Sequence, residues 1–203
     1  MALFMLAALA LNLTPGPDML YVTARSVGDG RRAGMVAALG IGAGTLVHIT
    51  ALALGLAALL AAVPLAYDVL RIAGAVYLLV IGVQLLWRPR RASGTTVVAP
   101  ASLNTVFAQA VVTNVLNPKV ALFFLAFLPQ FVDPAAGPTL AQIVLLGLLF
   151  DVQGTVVNIA VALLASGTTR RLRANARVAT LLQRLTGAIF VTLGVKLAAA
   201  GNR

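Results

Sequence analysis

The amino-acid sequence predicts an all-α integral membrane protein of six transmembrane helices, built as two inverted three-helix repeats whose first helices are broken by proline. Three observations lead there. Of 203 residues, 61% are hydrophobic and only 10% charged, with a mean hydropathy of +1.00. Six apolar runs each approach the roughly 20 residues that a spanning helix needs. Two of those runs, at related places in the two halves, are interrupted by proline, the pattern of a transporter whose unwound backbone lines a central cavity.

The first run, Met1 to Ala24, carries the break Asn12-Leu13-Thr14-Pro15-Gly16-Pro17-Asp18. Proline removes one backbone donor and frees the carbonyl one turn earlier, and hydrocarbon offers no water to repair the loss. Ala8-Leu9-Ala10 resembles a signal-peptide cleavage site, yet no basic stretch precedes it, so this run reads as the first membrane helix. The second run, Met35 to Val63, places His48 near its middle and spaces glycines four apart in Gly40-Ile41-Gly42-Ala43-Gly44. Small residues at that spacing permit close helix contact. They do not make a phosphate loop, since no lysine follows. The third run, Val69 to Trp87, opens within Arg71-Ile72-Ala73-Gly74-Ala75-Val76-Tyr77. Residues 89–102, rich in Arg, Ser, Thr and Pro, read as a linker.

The fourth run, Val106 to Val132, carries the second break, Asn114-Val115-Leu116-Asn117-Pro118-Lys119. The fifth, Leu140 to Ala165, holds Asp151 with Gln153, Thr155 and Asn158 nearby; Asn158 can share its face. The sixth, Leu181 to Ala200, follows Arg184-Leu185-Thr186-Gly187-Ala188-Ile189-Phe190, a near copy of the start of the third. Pro15 to His48 and Pro118 to Asp151 are both 33 residues. Each half therefore has one layout: a broken helix, a helix with one ionisable residue, and a helix opening Arg-x-x-Gly-Ala. A second register pairs Pro17 with Pro118 and Asp18 with Lys119. Three spans per half is an odd number, so the second copy, 103–203, enters the membrane inverted relative to the first, 1–88, with 89–102 as a cytoplasmic linker.

Charge sets the orientation. The formal net charge of +10 is concentrated: eleven of fifteen basic residues fall in alternate loops, at Arg25, Arg31 and Arg32, at Arg88, Arg90 and Arg91, and at Arg170, Arg171, Arg173, Arg177 and Arg184. This is the positive-inside pattern rather than a nucleic-acid footprint. It puts loops one, three and five in the cytoplasm and both termini outside. Cysteine is absent, which removes disulfides, thiolate metal sites and thiol redox chemistry.

Ionisable side chains inside a membrane are costly and mark function by default. Asp18, His48, Lys119, Asp151 and Lys196 are the five. Lys196 lies near a helix end, where a long stem snorkels to the interface. His48 and Asp151 are the candidates for proton coupling, because each changes charge by taking up one proton. Moving one charge through about 100 mV is worth roughly 2.3 kcal/mol, more than a tenfold bias. The plainer roles are a hydrogen-bonded neutral histidine and an aspartate pairing with Lys119 or an asparagine. At the breaks, a half-helix N-terminus with Lys119 suits a carboxylate, and freed carbonyls with Asp18 suit an ammonium. Asn12, Thr14, Asn114 and Asn117 add short polar groups. A zwitterion satisfies both ends; a simple ion pair between Asp18 and Lys119 is the alternative.

These residues carry a family likeness. The two breaks, together with Ala38-Leu39-Gly40-Ile41, His48 and Phe123-Phe124-Leu125-Ala126-Phe127-Leu128-Pro129-Gln130-Phe131, resemble the lysine exporter (LysE) superfamily, and more closely its homoserine/threonine efflux (RhtB) family. The resemblance covers essentially the whole chain. It implies a multi-pass bacterial inner-membrane exporter of amino acids or their derivatives, driven by the proton-motive force, with a homodimer as an admissible assembly. Carried onto this chain, its motif residues are Asn12, Thr14, Pro15, Gly16, Pro17 and Asp18 with Asn114, Asn117, Pro118 and Lys119. Relatives that move electrons depend on cysteine and do not fit. The family includes exporters of basic amino acids, but this chain has no Glu and no acidic cluster for a dication, so a neutral amino acid of homoserine, threonine or leucine type is preferred.

The expectation is therefore a proton-coupled exporter working by alternating access, with protons, an amino acid and the bilayer as partners and no nucleic acid. No cofactor and no metal are expected, since only Asp18 and Asp151 are intramembrane carboxylates. An enzyme is not expected either, for want of a Ser-His-Asp or His-rich constellation. Export of another small solute, and a non-transporting membrane scaffold, are the competing readings.

Overall fold

The first apolar run folds as two helices. In the computed structural model of the chain, α1 spans Ala2–Leu13 and α2 spans Pro17–Gly28, bent by 49° at the break between them. The structure describes residues 1–62 and 100–167 throughout, and positions 72, 75–76, 79–80, 82–84, 86–87, 180, 184, 187–188, 190–192, 194–195 and 198–199, all of these last helical. Asp68, Arg71, Gly74, Lys196, most of the expected linker (residues 89–99) and the basic loops at 88–91 and 170–177 lie outside the described residues.

Local chemistry explains each boundary. α1 stops at Thr14, whose N–H bonds back to Ala10 O and Leu11 O at 3.1 Å, because Pro15 has no N–H to continue the ladder. Pro17 then opens α2 at the first helical position, where its missing donor costs nothing, and Asp18 sits in the first turn against the positive end of the dipole. Gly30, at φ 89°, takes the left-handed turn into α3, Arg31–Ala62. Ser102 caps α4, Leu103–Val115, by accepting from Thr105 N–H at 3.2 Å. Asn117 caps α5, Pro118–Ala126, accepting from Lys119 N–H at 3.0 Å. Two 3-10 turns, Leu128–Phe131 and Pro134–Ala136, lead to α6, Thr139–Gly167.

Four of the expected spans are thereby visible. Arg31–Gly55 and Thr139–Ser166 are each long and apolar enough to cross a bilayer, and each bent pair, α1 with α2 and α4 with the segment Pro118–Phe131 that contains α5, supplies one more. The second pair is bent by the same 49° as the first. Among the described residues there is no strand. The protein is thus an all-helical, multi-pass membrane protein. Exposed apolar residues such as Leu145, Leu148, Val152 and Val156 form a stripe on α6 that suits lipid.

Glycines bring the helices close. A Cβ on Gly40 would meet Ala110 Cβ and Phe107 O of α4 at 2.6 Å, and one on Gly44 would meet Asn114 Cβ at 2.7 Å. The small-residue run of α3 is therefore a packing face for α4, as its spacing suggests. Gly42, on another face of α3, abuts Asp151 and Thr155 of α6. The two helical stretches beyond residue 70 also touch through glycine: Gly82 lies against Val191 and Gly187 O, and Gly194 against Leu79 and Ala75 O. Two apolar cores result. One is aromatic, built on Phe4, Phe123, Phe124, Phe127 and Phe150, and the other is made of smaller residues, Val22, Ala37, Ala38, Val106, Ala110 and Ala162.

Candidate functional site

The two breaks meet, and each is closed by a side chain from the other half of the chain. Pro15 denies the carbonyl of Leu11, four residues earlier, its regular helical donor, and Pro118 does the same to that of Asn114. Lys119 Nζ donates to Leu11 O at 3.0 Å and to Thr14 O at 2.8 Å. His48 Nε2 lies 3.1 Å from Asn114 O, so this nitrogen carries the proton of the contact. Asn114 O also accepts Asn117 N–H at 2.9 Å in the turn. The partners that hydrocarbon cannot provide are thus supplied by two titratable side chains, exchanged across the break.

A carboxylate completes the group. Asn114 Nδ2 donates to Asp18 Oδ2 at 2.8 Å, and Thr45 Oγ1 lies 3.4 Å from Asn114 Oδ1. Asp18 Oδ1 and Asn117 Nδ2 are buried without a hydrogen-bond partner, although the Asn117 amide neighbours the carboxylate. Asp18 and Lys119 form no ion pair within 4 Å among the described residues; the ammonium sits on carbonyls instead. Gly16 makes that seat possible: its φ of −144° is open to any residue, but a Cβ there would lie 3.1 Å from Lys119 Nζ. The glycine is needed for close approach rather than for backbone conformation.

By helix position, Pro17 and Pro118 are the counterparts, each at the start of its second half-helix, so Asp18 and Lys119 occupy equivalent places. Asn12 and Asn114 are likewise each the penultimate residue of the first half-helix. Their surroundings differ. Asn12 packs on Gly154 of α6, with Nδ2 3.5 Å from Phe150 O and from Gln153 Oε1, apart from the Asp18–Asn114–Lys119 group. Thr14 contributes its carbonyl, while its hydroxyl donates back to Ala10 O at 2.7 Å.

His48 and Asp151 stand equally far along the chain from their prolines but turn to different neighbours. His48 faces Asn114 and the Phe124 ring, whose centroid is 5.9 Å away. Asp151 faces Gly42 on α3 beside Thr155, with Oδ1 buried and unpartnered, and no hydrogen bond joins it to His48 or Lys119. Asn158 is buried on the same helix, two turns on.

A family model described as LysE type translocator matches residues 9–201. The chain belongs to this family. As a LysE translocator it is a membrane transport protein rather than an enzyme. It is 31% identical over 198 residues to a homoserine/homoserine lactone efflux protein of Salmonella typhimurium, covering 97% of this chain and 95% of that one. It is 29% identical to a leucine efflux protein of an Enterobacter species, over 96% of this chain and 93% of the other. An uncharacterized membrane protein of Pseudomonas aeruginosa is 35% identical over 97% and 94%. No solved structure matches.

Sequence reasoning named most of the polar residues gathered at the two breaks, but not Leu11 or Thr45. Leu11 was legible, since it stands four residues before Pro15. Thr45 carried no signal beyond a hydroxyl in an apolar helix.

Proposed function

We propose that this translocator exports neutral amino acids across the bacterial inner membrane, binding them between the two proline breaks. Charge and hydrogen-bonding capacity at the breaks carry the reading. Asp18 Oδ1 is a buried acceptor with no hydrogen-bond partner, and Asn117 Nδ2, beside that carboxyl group, is a buried donor with none. Lys119 spends two of its three N–H groups on Leu11 O and Thr14 O, leaving a third. An ammonium on Asp18 and a carboxylate on Asn117 and Lys119 would satisfy all three. Asn114, Pro15, Gly16, Pro17 and Pro118 shape this site, with Asn12 and Thr14 holding the α1 side. The efflux activities named for the relatives agree with a zwitterionic substrate of homoserine or leucine type.

The transport cycle is alternating access by two inverted repeats, 1–88 and 103–203, joined by the cytoplasmic segment 89–102, with loops one, three and five in the cytoplasm. Equal bends of 49° and the equivalent places of Asp18 and Lys119 support the repeat. So does the reciprocal packing of Gly82 and Gly194. Proton-motive force drives export through His48 and Asp151, acting as separate proton-responsive positions on α3 and α6. His48 is coupled to the site through Asn114, and Asp151 to the α3–α6 contact at Gly42.

Reconstituted vesicles test this. With an imposed pH gradient, homoserine, threonine and leucine should move and lysine should lag; a protein that moves no amino acid would refute the proposal.

A further inference from the structure

The two bent helices meet once on either side of the break site, and the two meetings have different chemistry. On one side α2 leaves Asp18 alongside α4, which arrives at Asn114. Arg25, only 2% exposed, binds this seam. Its Nη2 donates to Gln109 Oε1 at 2.6 Å, its Nε to Tyr21 Oη at 3.2 Å, and its Nη1 to Asp29 Oδ2 at 2.8 Å. Tyr21 shares its one hydroxyl proton between Val106 O and Gln109 Oε1, both at 3.1 Å. Beside it opens a surface groove of about 400 Å³, lined by Tyr21, Ala108, Gln109, Val112 and Thr113.

On the other side α5 leaves Lys119 alongside α1, which arrives at Thr14. Here the seam is aromatic. Phe4, fully buried, lies 6.1 Å from Phe123, 6.3 Å from Phe127 and 5.3 Å from Phe131, centroid to centroid. The two seams exchange under the repeat, α2 with α4 against α5 with α1, and both are shut.

Resting on the transporter reading above, we propose that these seams are the two gates of the path: a polar latch, Tyr21–Arg25–Gln109, at the loop-one end, and an aromatic plug, Phe4 with Phe127 and Phe131, at the other. The latch opens by exchanging its hydrogen bonds with water. The plug opens by sliding rings that have no hydrogen bonds to lose. Neither contact involves a group assigned to substrate.

Absence of native cysteine makes the test clean. Tyr21→Cys with Gln109→Cys, and Phe4→Cys with Phe131→Cys, are bridged in vesicles by a reducible bifunctional thiol reagent. Each bridge should cut amino-acid efflux at least about tenfold, as expected when an obligatory opening is blocked, and reduction should restore it. The bridged proteins should still be thermally stabilised by the amino acid, which separates a blocked gate from a damaged site. Undiminished efflux with either bridge in place, or loss that reduction does not reverse, would overturn the assignment of that gate. If the unsubstituted protein moves no amino acid in the same vesicles, the transporter reading falls and the gates with it.

Discussion

Lys119 is the residue on which the site turns, because it does by side chain what Pro15 prevents the backbone from doing. Replacing it by Met would remove the Nζ–H bonds to Leu11 O and Thr14 O in a place without water to replace them. The cost of such a loss is about 1–3 kcal/mol, or roughly 2–12 °C in thermal midpoint for a chain of this size. Differential scanning fluorimetry in detergent would read it, and efflux should be lost as well. Gly16→Ala is a milder probe of the same contact, since the added Cβ would sit 3.1 Å from the ammonium. We expect it to fold, with efflux reduced about tenfold or more, in line with the sensitivity of positioned groups to small displacements. Asp18→Asn keeps the bond to Asn114 within reach but removes the charge offered to an ammonium. Apparent affinity for amino acid should drop by at least about tenfold, since a hydrogen bond to a charged group contributes roughly 1.5–3 kcal/mol.

At the scale of the element, the break is what the proline makes it. Pro118 is the one proline between α4 and α5, whereas Pro15 and Pro17 both stand between α1 and α2. Pro118→Ala therefore returns an N–H that can bond Asn114 O and draw the two half-helices straight, displacing His48 from its carbonyl. Export should fall while stability holds or rises by about 2–4 °C, the equivalent of about 1 kcal/mol, a trade of function for regularity. Circular dichroism melts set beside efflux rates would separate this outcome from simple misfolding. The positions of both breaks and the close face at Gly40 and Gly44 were legible in the sequence because each depends on neighbours within one or two turns. The identity of the helix that Gly40 meets was not, since nothing local distinguishes α4 from α6 as its partner.

For the molecule as a whole, two carboxylates sit at opposite ends of one argument about energy. Asp18 belongs to the breaks, whereas Asp151 lies on the α3–α6 contact, so its charge bears on how those helices pack rather than on the substrate directly. Asp151→Asn should flatten the dependence of efflux on the imposed pH gradient while leaving amino-acid binding near its original strength. Transport and thermal-shift titrations run in parallel would check both halves of that expectation, and an unchanged pH profile would assign the coupling to another group.

Composition and the prolines determined without coordinates that the chain is a membrane protein with polar breaks in two of its apolar runs, because hydropathy and proline chemistry are local and leave their mark residue by residue. Only tertiary structure decided the partners. The sequence allowed Lys119 to pair with Asp18 or with Asp151, yet the ammonium caps Leu11 and Thr14, over 100 residues away, and Asp151 faces Gly42 and Thr155. Arg25, which read as one more cytoplasmic charge, is buried in a seam. Side-chain contacts of this kind follow from how helices bend and cross, and a bend of 49° at each break redirects every residue beyond it.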